Sequence, residues 1–420
     1  MKFTDYPIAP EIKKSLEKLD FKRPTDIQYK AIPSILARED VLAIAQTGTG
    51  KTAAFAIPII HLLHERKKQD RRGEGVKCVV MVPTHELSLQ ITEVFEQLSH
   101  FTDLKTLALL GGVSQEPQIA RLKKGVDIVV ATPGRLFDLV SQGHLLLQRV
   151  EILVLDEADH MLDLGFINDI RDLLRHLPRR RQTLFFSATI DQKIKKLAYS
   201  LVSKAAIRIQ ISPKDPVSKN VDHFVTMVEM DDKRFFLERL INEHSEKKIM
   251  VFVRTKVRAE RVAKALERVN IQSLTLHGDK DQNERTRALT EFKNGNVKVL
   301  IATDVSARGI DIPNVDYVVN YDLPDETENY VHRVGRTGRG MQRGQAVSFC
   351  SSEETPKLEA IEAYIGKTIT RIQLSQAEYQ SMKDFSNDFS GDLKSLLKEI
   401  EDWETEQKRR KGQKMSRKKR

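Results

Sequence analysis

The stretch Val41-Leu42-Ala43-Ile44-Ala45-Gln46-Thr47-Gly48-Thr49-Gly50-Lys51-Thr52-Ala53-Ala54 decides how the rest of the chain is read. An apolar run of β character feeds a turn rich in Gly and Thr, and the turn opens through Lys-Thr into helix formers. This is the layout of a phosphate-binding loop. Gly48 and Gly50 let the backbone curl so that several N–H groups and the positive end of the following helix converge on a polyphosphate. Gln46, Thr47, Gly48, Thr49, Gly50, Lys51 and Thr52 form the expected cradle, with Lys51 on the β- and γ-phosphates and Thr52 on a magnesium ion. Ala45 stands where the eight-residue pattern usually opens with Gly, and every other position matches.

At 420 residues the chain exceeds the size at which a single hydrophobic core stops growing, so two domains are expected. Hydrophobic residues make up 40% and charged residues 30%, the balance of a globular protein with a well-charged surface. No apolar run approaches bilayer length, and Met1 to Pro7 lacks the basic-then-apolar order of a signal peptide, so a cytoplasmic protein without membrane contact is expected. The two cysteines, Cys78 and Cys350, lie far apart inside apolar runs and read as small buried hydrophobes of a reducing compartment.

The net charge of +10 is concentrated at one end. Residues 408–420 hold nine Lys or Arg and no acid, which leaves +1 for residues 1–407. Such a tail cannot bury an apolar face and should stay disordered, as a sequence-independent arm for phosphate backbones.

Short β-rich runs alternate with amphipathic helical stretches in two sets. The first falls at 41–45, 78–82, 127–131, 152–155 and 183–186; the second at 249–253, 273–276, 298–302, 317–321 and 346–350. The runs are almost continuously apolar, as strands buried on both faces of a parallel sheet must be. The reading is therefore an α/β chain of two parallel-sheet domains: 1–203, a linker at 204–222 with Pro213 and Pro216, and 223–365, followed by a helical extension at 366–407 and the basic tail at 408–420. Within the extension, Leu393, Leu396, Leu397, Ile400 and Trp403 recur at helical spacing and are expected to pack on the second domain.

Polar clusters follow the apolar runs: Pro83-Thr84-His85-Glu86, Thr132-Pro133-Gly134-Arg135, Asp156-Glu157-Ala158-Asp159, Ser187-Ala188-Thr189, and Thr303-Asp304. In doubly wound sheets ligands bind at the carboxyl ends of strands, so these clusters should share one face of each sheet. Asp156 is assigned to the metal through its waters, and Glu157 to the attacking water. Phosphoryl transfer also needs positive charge at the γ-phosphate. His332-Arg333-Val334-Gly335-Arg336-Thr337-Gly338-Arg339-Gly340 offers Arg336 and Arg339 as fingers that reach the first domain only when the halves close over a nucleotide cleft.

With these motifs in this order and spacing, the chain from about residue 3 to about 365 resembles the DEAD-box ATP-dependent RNA helicases of superfamily 2, whose name-giving box is Asp156-Glu157-Ala158-Asp159. The resemblance implies two tandem RecA-like domains, with ATP and Mg2+ as cofactors and RNA as partner. It implies that Phe21 stacks on adenine and Gln28 pairs with its edge, within a segment spanning 21–28, and that Asp311 approaches the ribose. Ser187 and Thr189 would couple hydrolysis to strand separation. RNA backbone would be held by Pro83, Thr84, Gly111, Gly112, Thr132, Pro133, Gly134 and Arg135 on the first domain, and by Arg254, Thr255, Gly278, Gln282, Arg285 and Thr303 on the second. Hydroxyls and small residues suit backbone contact and need no aromatic base readers. Proteins of ribonucleoprotein or ribosomal-precursor particles are further partners of this kind of core, which is expected to be monomeric. A duplex-DNA translocase and a nucleotide-gated RNA clamp with little unwinding use the same two-domain layout. Four residues depart from the family pattern: Asp20 for Gly, Asp26 for Pro, His85 for Arg and Ser88 for Ala.

Overall fold

The computed structural model describes the chain apart from Met1, Thr47, residues 70–74, 190–191, 212–216, 218–219, 308–309, 311, 313–314, 339–341 and 385–420. Fourteen described strands form two sheets of seven, and every pairing is parallel. The first sheet contains β1 (Val41–Ile44), β2 (Cys78–Met81), β3 (Thr106–Leu109), β4 (Ile128–Ala131), β5 (Ile152–Leu155), β6 (Gln182–Ser187) and β7 (Ile207–Gln210), in the order β3-β4-β2-β5-β6-β1-β7. The second contains β8 (Val221–Met227), β9 (Ile249–Phe252), β10 (Ser273–Leu276), β11 (Val299–Ala302), β12 (Tyr317–Asn320), β13 (Gly344–Cys350) and β14 (Thr370–Ile372), in the order β10-β11-β9-β12-β13-β8-β14. The two orders are the same, strand for strand. Each half is a RecA-like domain.

The strands form where the apolar runs lie because helices cover both faces of each sheet, and only a side chain without polar groups is stable there. β1, β2, β4, β5, β9, β11 and β12 are buried along their whole length. In the first half one apolar cluster joins the helices at residues 10–18, 26–36, 51–69 and 85–98 to one sheet face, and a second joins 133–141, 158–163, 167–176 and 192–201 to the other. Cys78 and Cys350 are both buried, as small apolar fillers of these strands, and burial pushes both thiols up.

Four strands escape the apolar-run criterion. β7 (Ile-Arg-Ile-Gln) and β14 (Thr-Arg-Ile) lie at sheet edges and expose most of their side chains; β3 holds the opposite edge; β8 carries Asp222, His223 and Thr226 among its apolar residues. Edge strands need only one covered face, so polar residues are tolerated there. This corrects the expected boundaries. Residues 204–222 are not all linker, because β7 pairs with β1 and belongs to the first sheet, and β8 opens at Val221. The connection between the sheets is 211–220. Nor is 366–407 all helical, because β14 extends the second sheet before the helix Gln376–Asp384. Leu374, Tyr379 and Met382 pack on the second core, and the Tyr379 hydroxyl donates to Asp232 Oδ2 at 2.9 Å. Leu393, Leu396, Leu397, Ile400, Trp403 and the basic tail lie outside the described residues.

The turn before Phe21 shows what Asp20 does in place of glycine. The helix Pro10–Lys18 closes with Phe21 N–H donating to Leu16 O (2.9 Å) and Asp20 N–H to Glu17 O (3.0 Å). That double closure needs a left-handed residue between them, and Asp20 has φ +57°. Aspartate tolerates this conformation better than most residues with a Cβ, but glycine has no penalty there. Asp20→Gly is expected to stabilise the first domain by about 1 kcal/mol, seen as a raised midpoint of thermal unfolding.

Candidate nucleotide and RNA site

The strand order brings the chemistry together. β5, β6 and β1 are neighbours, so the acidic box after β5, Ser187 at the end of β6 and the loop after β1 share one edge of the sheet. Gly48 and Gly50 adopt φ +82° and +92°, and Thr49 Oγ1 donates to Gln46 O at 2.8 Å, folding the loop on itself. Gln28, buried under this loop, accepts from Thr25 N–H at 3.0 Å and donates to Gly50 O at 3.1 Å. One amide hydrogen and one lone pair of Gln28 remain for an adenine edge. A Cβ on Gly50 would lie 2.5 Å from Gln28 Nε2, so glycine is required there by contact as well as by φ. Phe21 is 36% exposed, braced edge-on by Phe3 at 5.9 Å, with a face left for a planar ligand. Thr47 and Asp311 lie outside the described residues.

Lys51 is the test of fit for a phosphate. Its residue is buried, and its Nζ has no hydrogen-bond partner. An ammonium in that state is stable only beside negative charge, and Asp156 and Glu157 feel its field. Thr52 is half-buried on the next position of the helix. No group of three or more His, Cys, Asp or Glu that could hold a metal ion occurs among the described residues. Magnesium suits such a donor set, because it keeps several waters and takes one or two protein oxygens along with phosphate oxygens. The Thr52 hydroxyl and the Asp156 carboxylate are the oxygens on offer.

Both box carboxylates are buried, yet they titrate in opposite directions. Burial raises Asp156 to about 6, with Lys51 opposing and Glu157 adding to the rise. Burial also pushes Glu157 up, but His160, Lys51 and Arg336 together outweigh it and hold the group at about 2. Glu157 is thus a carboxylate in a dry setting. Its backbone is left-handed (φ +52°, ψ +49°), and its N–H is held by Asp156 Oδ1 at 3.0 Å. Asp159 turns the other way. Its Oδ2 accepts from Ala188 N–H (3.0 Å), Thr189 N–H (2.9 Å) and Thr189 Oγ1 (3.1 Å), tying the acidic box to the segment after β6. Ser187 is fully buried, with its Oγ unpartnered.

Arg336 of the second half is buried, donates through Nε to His332 O at 3.1 Å and through Nη1 to Ile310 O, and lies near enough to lower Glu157 across the seam. Arg339 lies outside the described residues. Arg333 is turned inward: it grips Asp304 with two nitrogens (2.5 and 2.7 Å), donates to Asn320 and Asp322 O, and packs over Phe252.

Four further side chains join the halves. Gly111 N–H donates to His85 Nε2 at 3.2 Å, which leaves the proton on Nδ1 to donate to Gln282 Oε1 at 3.0 Å. Glu86 Oε1 accepts from Gln282 Nε2 (3.1 Å) and Arg285 Nε (2.7 Å), and this pairing with Arg285 overcomes burial to lower the Glu86 carboxyl. Gln282 and Arg285 therefore bridge to the first half in this arrangement. Arg254 is engaged by Glu354 (2.9 Å) and Asp325 (3.6 Å).

The remaining residues expected at RNA stand at element starts. Thr84 and Thr255 cap the helices after β2 and β9, each accepting from an N–H three residues on. Thr132 and Pro133 open the helix Pro133–Ser141, with Gly134 exposed and open space where a Cβ would be. Pro83 is buried between β2 and Thr84, Gly112 has φ +71°, and Gly278 and Thr303 follow β10 and β11. Arg135 donates to Val113 O at 2.9 Å, while its Nε and Nη1 are buried without partners, a fork left for an anion.

The sequence matches the DEAD/DEAH box helicase family over residues 25–197 and the helicase conserved C-terminal domain over 232–341. It is 41% identical over 371 residues to the ATP-dependent RNA helicase RhlB of Shewanella piezotolerans, covering 88% of this chain and 85% of RhlB. The chain belongs to the DEAD-box family of helicases. It is also 38% identical over 406 residues to the ATP-dependent RNA helicase CshA of Listeria monocytogenes, covering 97% and 75% of the two chains. Among solved structures, S. cerevisiae Dbp5 bound to RNA and ADP BeF3 is 30% identical, with TM-score 0.80 over 91% of this chain and 99% of Dbp5. A Dbp5 variant bound to Nup159, a Gle1 variant, IP6 and ADP gives 0.62 over 90% and 99%.

The departures from the DEAD-box pattern have physical substitutes here. Asp26 is the first residue of the helix Asp26–Leu36, where an acid favours the positive helix end as proline favours its geometry. Ser88 is buried and donates to Val130 O at 2.9 Å, so its hydroxyl costs little. His85 replaces a cation by a neutral two-way bridge. Sequence reasoning missed Asp159, Glu86, Asp304, Arg333 and His160 as site residues. Each stands beside a quoted motif, but only the folded chain shows that Asp304 meets Arg333 or that His160 Nδ1 lies 3.6 Å from Glu157 Oε2.

Two outcomes follow from this geometry. Gly50→Ala drives a methyl into Gln28 at a φ that alanine resists, and should weaken nucleotide binding by at least about tenfold in a fluorescent-nucleotide titration, with the unfolding midpoint lowered as well. His85→Ala removes both bridging bonds and should lower RNA-stimulated ATP turnover, while nucleotide affinity measured without RNA stays the same.

Proposed function

We propose that this chain is an RNA-stimulated ATP hydrolase that closes its two domains on RNA, opens short duplexes locally and remodels RNA or ribonucleoprotein. The observation that carries the reading is the setting of Glu157: a buried carboxylate held ionised by His160 and Lys51 of its own domain, with Arg336 of the other domain adding to them. A base that orients water must stay deprotonated, and a γ-phosphate lying between Lys51 and Arg336 has its developing charge neutralised from both sides.

ATP is the substrate, with the adenine between Phe21 and Gln28, the phosphates on the loop around Gly48, Gly50 and Lys51, and Asp311 toward the ribose. Thr52 and Asp156 would hold magnesium, which when bound bridges phosphate oxygens and neutralises their charge. Lys51 binds the β- and γ-phosphates, Glu157 orients the water, Arg336 and Arg339 complete the site on closure, and Asp159 passes the state of the box to Thr189. RNA backbone is held by the helix starts at Thr84, Thr132 and Thr255 and by Arg135, without base reading. Closure is supported by the His85–Gln282 and Glu86–Arg285 contacts and by the higher TM-score against Dbp5 carrying RNA and ADP BeF3 than against Dbp5 carrying ADP with Nup159 and Gle1. The basic residues 408–420 would add affinity without choosing the site. A monomeric core acting in the cytoplasm completes the proposal; no described helix is long and apolar enough to cross a membrane.

Lys51→Ala should abolish ATP turnover, and Glu157→Gln should retain ATP binding while hydrolysis drops by about two to three orders of magnitude. Normal turnover in Glu157→Gln would refute the role given to that carboxylate. A strand-displacement assay on short RNA duplexes separates unwinding from clamping, and comparing ATPase stimulation by RNA and by DNA tests the polymer.

A further inference from the structure

His160 follows Glu157 by three residues, on the first turn of the short helix Ala158–Asp163, and its ring is buried. Its backbone N–H donates to Asp159 Oδ1 at 3.1 Å, which ties it to the acidic box. Its Nδ1 lies 3.6 Å from Glu157 Oε2, a contact too long for a hydrogen bond. Among the described residues neither ring nitrogen has a hydrogen-bond partner. Two unsatisfied buried nitrogens lower stability, so an apolar side chain of similar size would serve the fold better. The ring therefore calls for a reason outside the fold.

The carboxylate beside it supplies one. Glu157 reaches its water through rotatable bonds, and a base is effective only where it is held close to one orientation. The groups around it differ in what else they serve. Lys51 and Arg336 are assigned to phosphate in the proposed reaction, so a bound nucleotide competes with the carboxylate for both. His160 has no such second task. We propose that His160 is a positioning residue: its Nδ1–H donates to Glu157 Oε2 when nucleotide fills the site and holds that carboxylate in the orientation that directs the attacking water. Hydrogen bonds of this kind commonly shorten only when substrate is bound. Against the rise that burial causes, His160 also lowers Glu157 more than Lys51 or Arg336 does, as a donor aimed at that carboxylate should.

The proposal rests on Glu157 as the residue that orients water, and the test separates the two. In the full chain, His160→Leu removes the donor at similar size, whereas His160→Asn keeps a donor close to where Nδ1 stands. ATP turnover is measured at saturating RNA, together with KM for ATP, RNA affinity by fluorescence anisotropy and the midpoint of thermal unfolding. His160→Leu should lower kcat by about tenfold or more, with KM and RNA affinity within about twofold of the unaltered chain. Its midpoint should be unchanged or raised, because two unsatisfied nitrogens are gone. His160→Asn should recover most of the lost kcat. Added to Glu157→Gln, His160→Leu should cost nothing further in single turnovers, since no carboxylate is left to aim. Equal losses in the Leu and Asn variants overturn the proposal, and so does a lowered midpoint in His160→Leu, which makes the ring a structural element. A raised KM at unchanged kcat overturns it too and reassigns the ring to nucleotide binding. Full kcat in His160→Leu with Glu157→Gln inactive removes the positioning role alone, whereas full turnover in Glu157→Gln removes the water-orienting reading and this proposal with it.

Discussion

One buried carboxylate constrains the whole arrangement. Glu157 sits where water is scarce, and an isolated charge there would be strongly disfavoured. It stays ionised because His160, Lys51 and, more weakly, Arg336 lie near it, and Arg336 belongs to the other domain. Its left-handed backbone adds a cost of about 1 kcal/mol, held in place by the Asp156 carboxylate on its N–H. Arg336 is the smallest of these contributions, so His160 and Lys51 of the carboxylate's own domain account for most of the lowering.

The two sheets share a strand order, but they divide the labour. Equivalent strands are followed by equivalent threonines: Thr84 after β2 answers Thr255 after β9, each capping a helix, and Thr132 after β4 answers Thr303 after β11. The duplication thus places the same residue type at matching strand ends of both sheets. The ends of β1 and β5 carry the phosphate loop and the acidic pair, whereas β8 and β12 carry neither. Asp322 after β12 is instead turned to structure, accepting Arg254 N–H at 3.0 Å and pairing with Arg258 at 3.1 Å. The two halves thus share a fold and differ in which strand ends carry polar clusters.

Much of this was legible in the sequence because doubly covered parallel strands must be apolar and because phosphate chemistry demands glycine, lysine and paired acids in a fixed order. What the sequence hid is equally physical. β7 and β14 are edge strands whose polar residues face solvent, so no apolar run marks them. Arg333 and Arg336 look alike three residues apart, yet one is locked onto Asp304 and the other faces Glu157, a difference set by which neighbour each helix turn meets. Gln282 and Arg285 carry no sign in the sequence that they meet Glu86, 196 and 199 residues away along the chain.

The seam between the domains is polar, which makes the contact between them strict in geometry and weak in energy. His85, Glu86, Gln282 and Arg285 meet through hydrogen bonds and one ion pair, and none of them is an apolar anchor. Polar groups of this kind are solvated almost as well apart as together, so their net contribution is small while their geometry is strict. An apolar seam of the same extent would hold the domains together more firmly. His85 sharpens the point: its single acceptor nitrogen is spent on Gly111, so its remaining N–H fits an amide oxygen opposite and not a second donor. The contact therefore specifies one register of the two domains while adding little stability of its own.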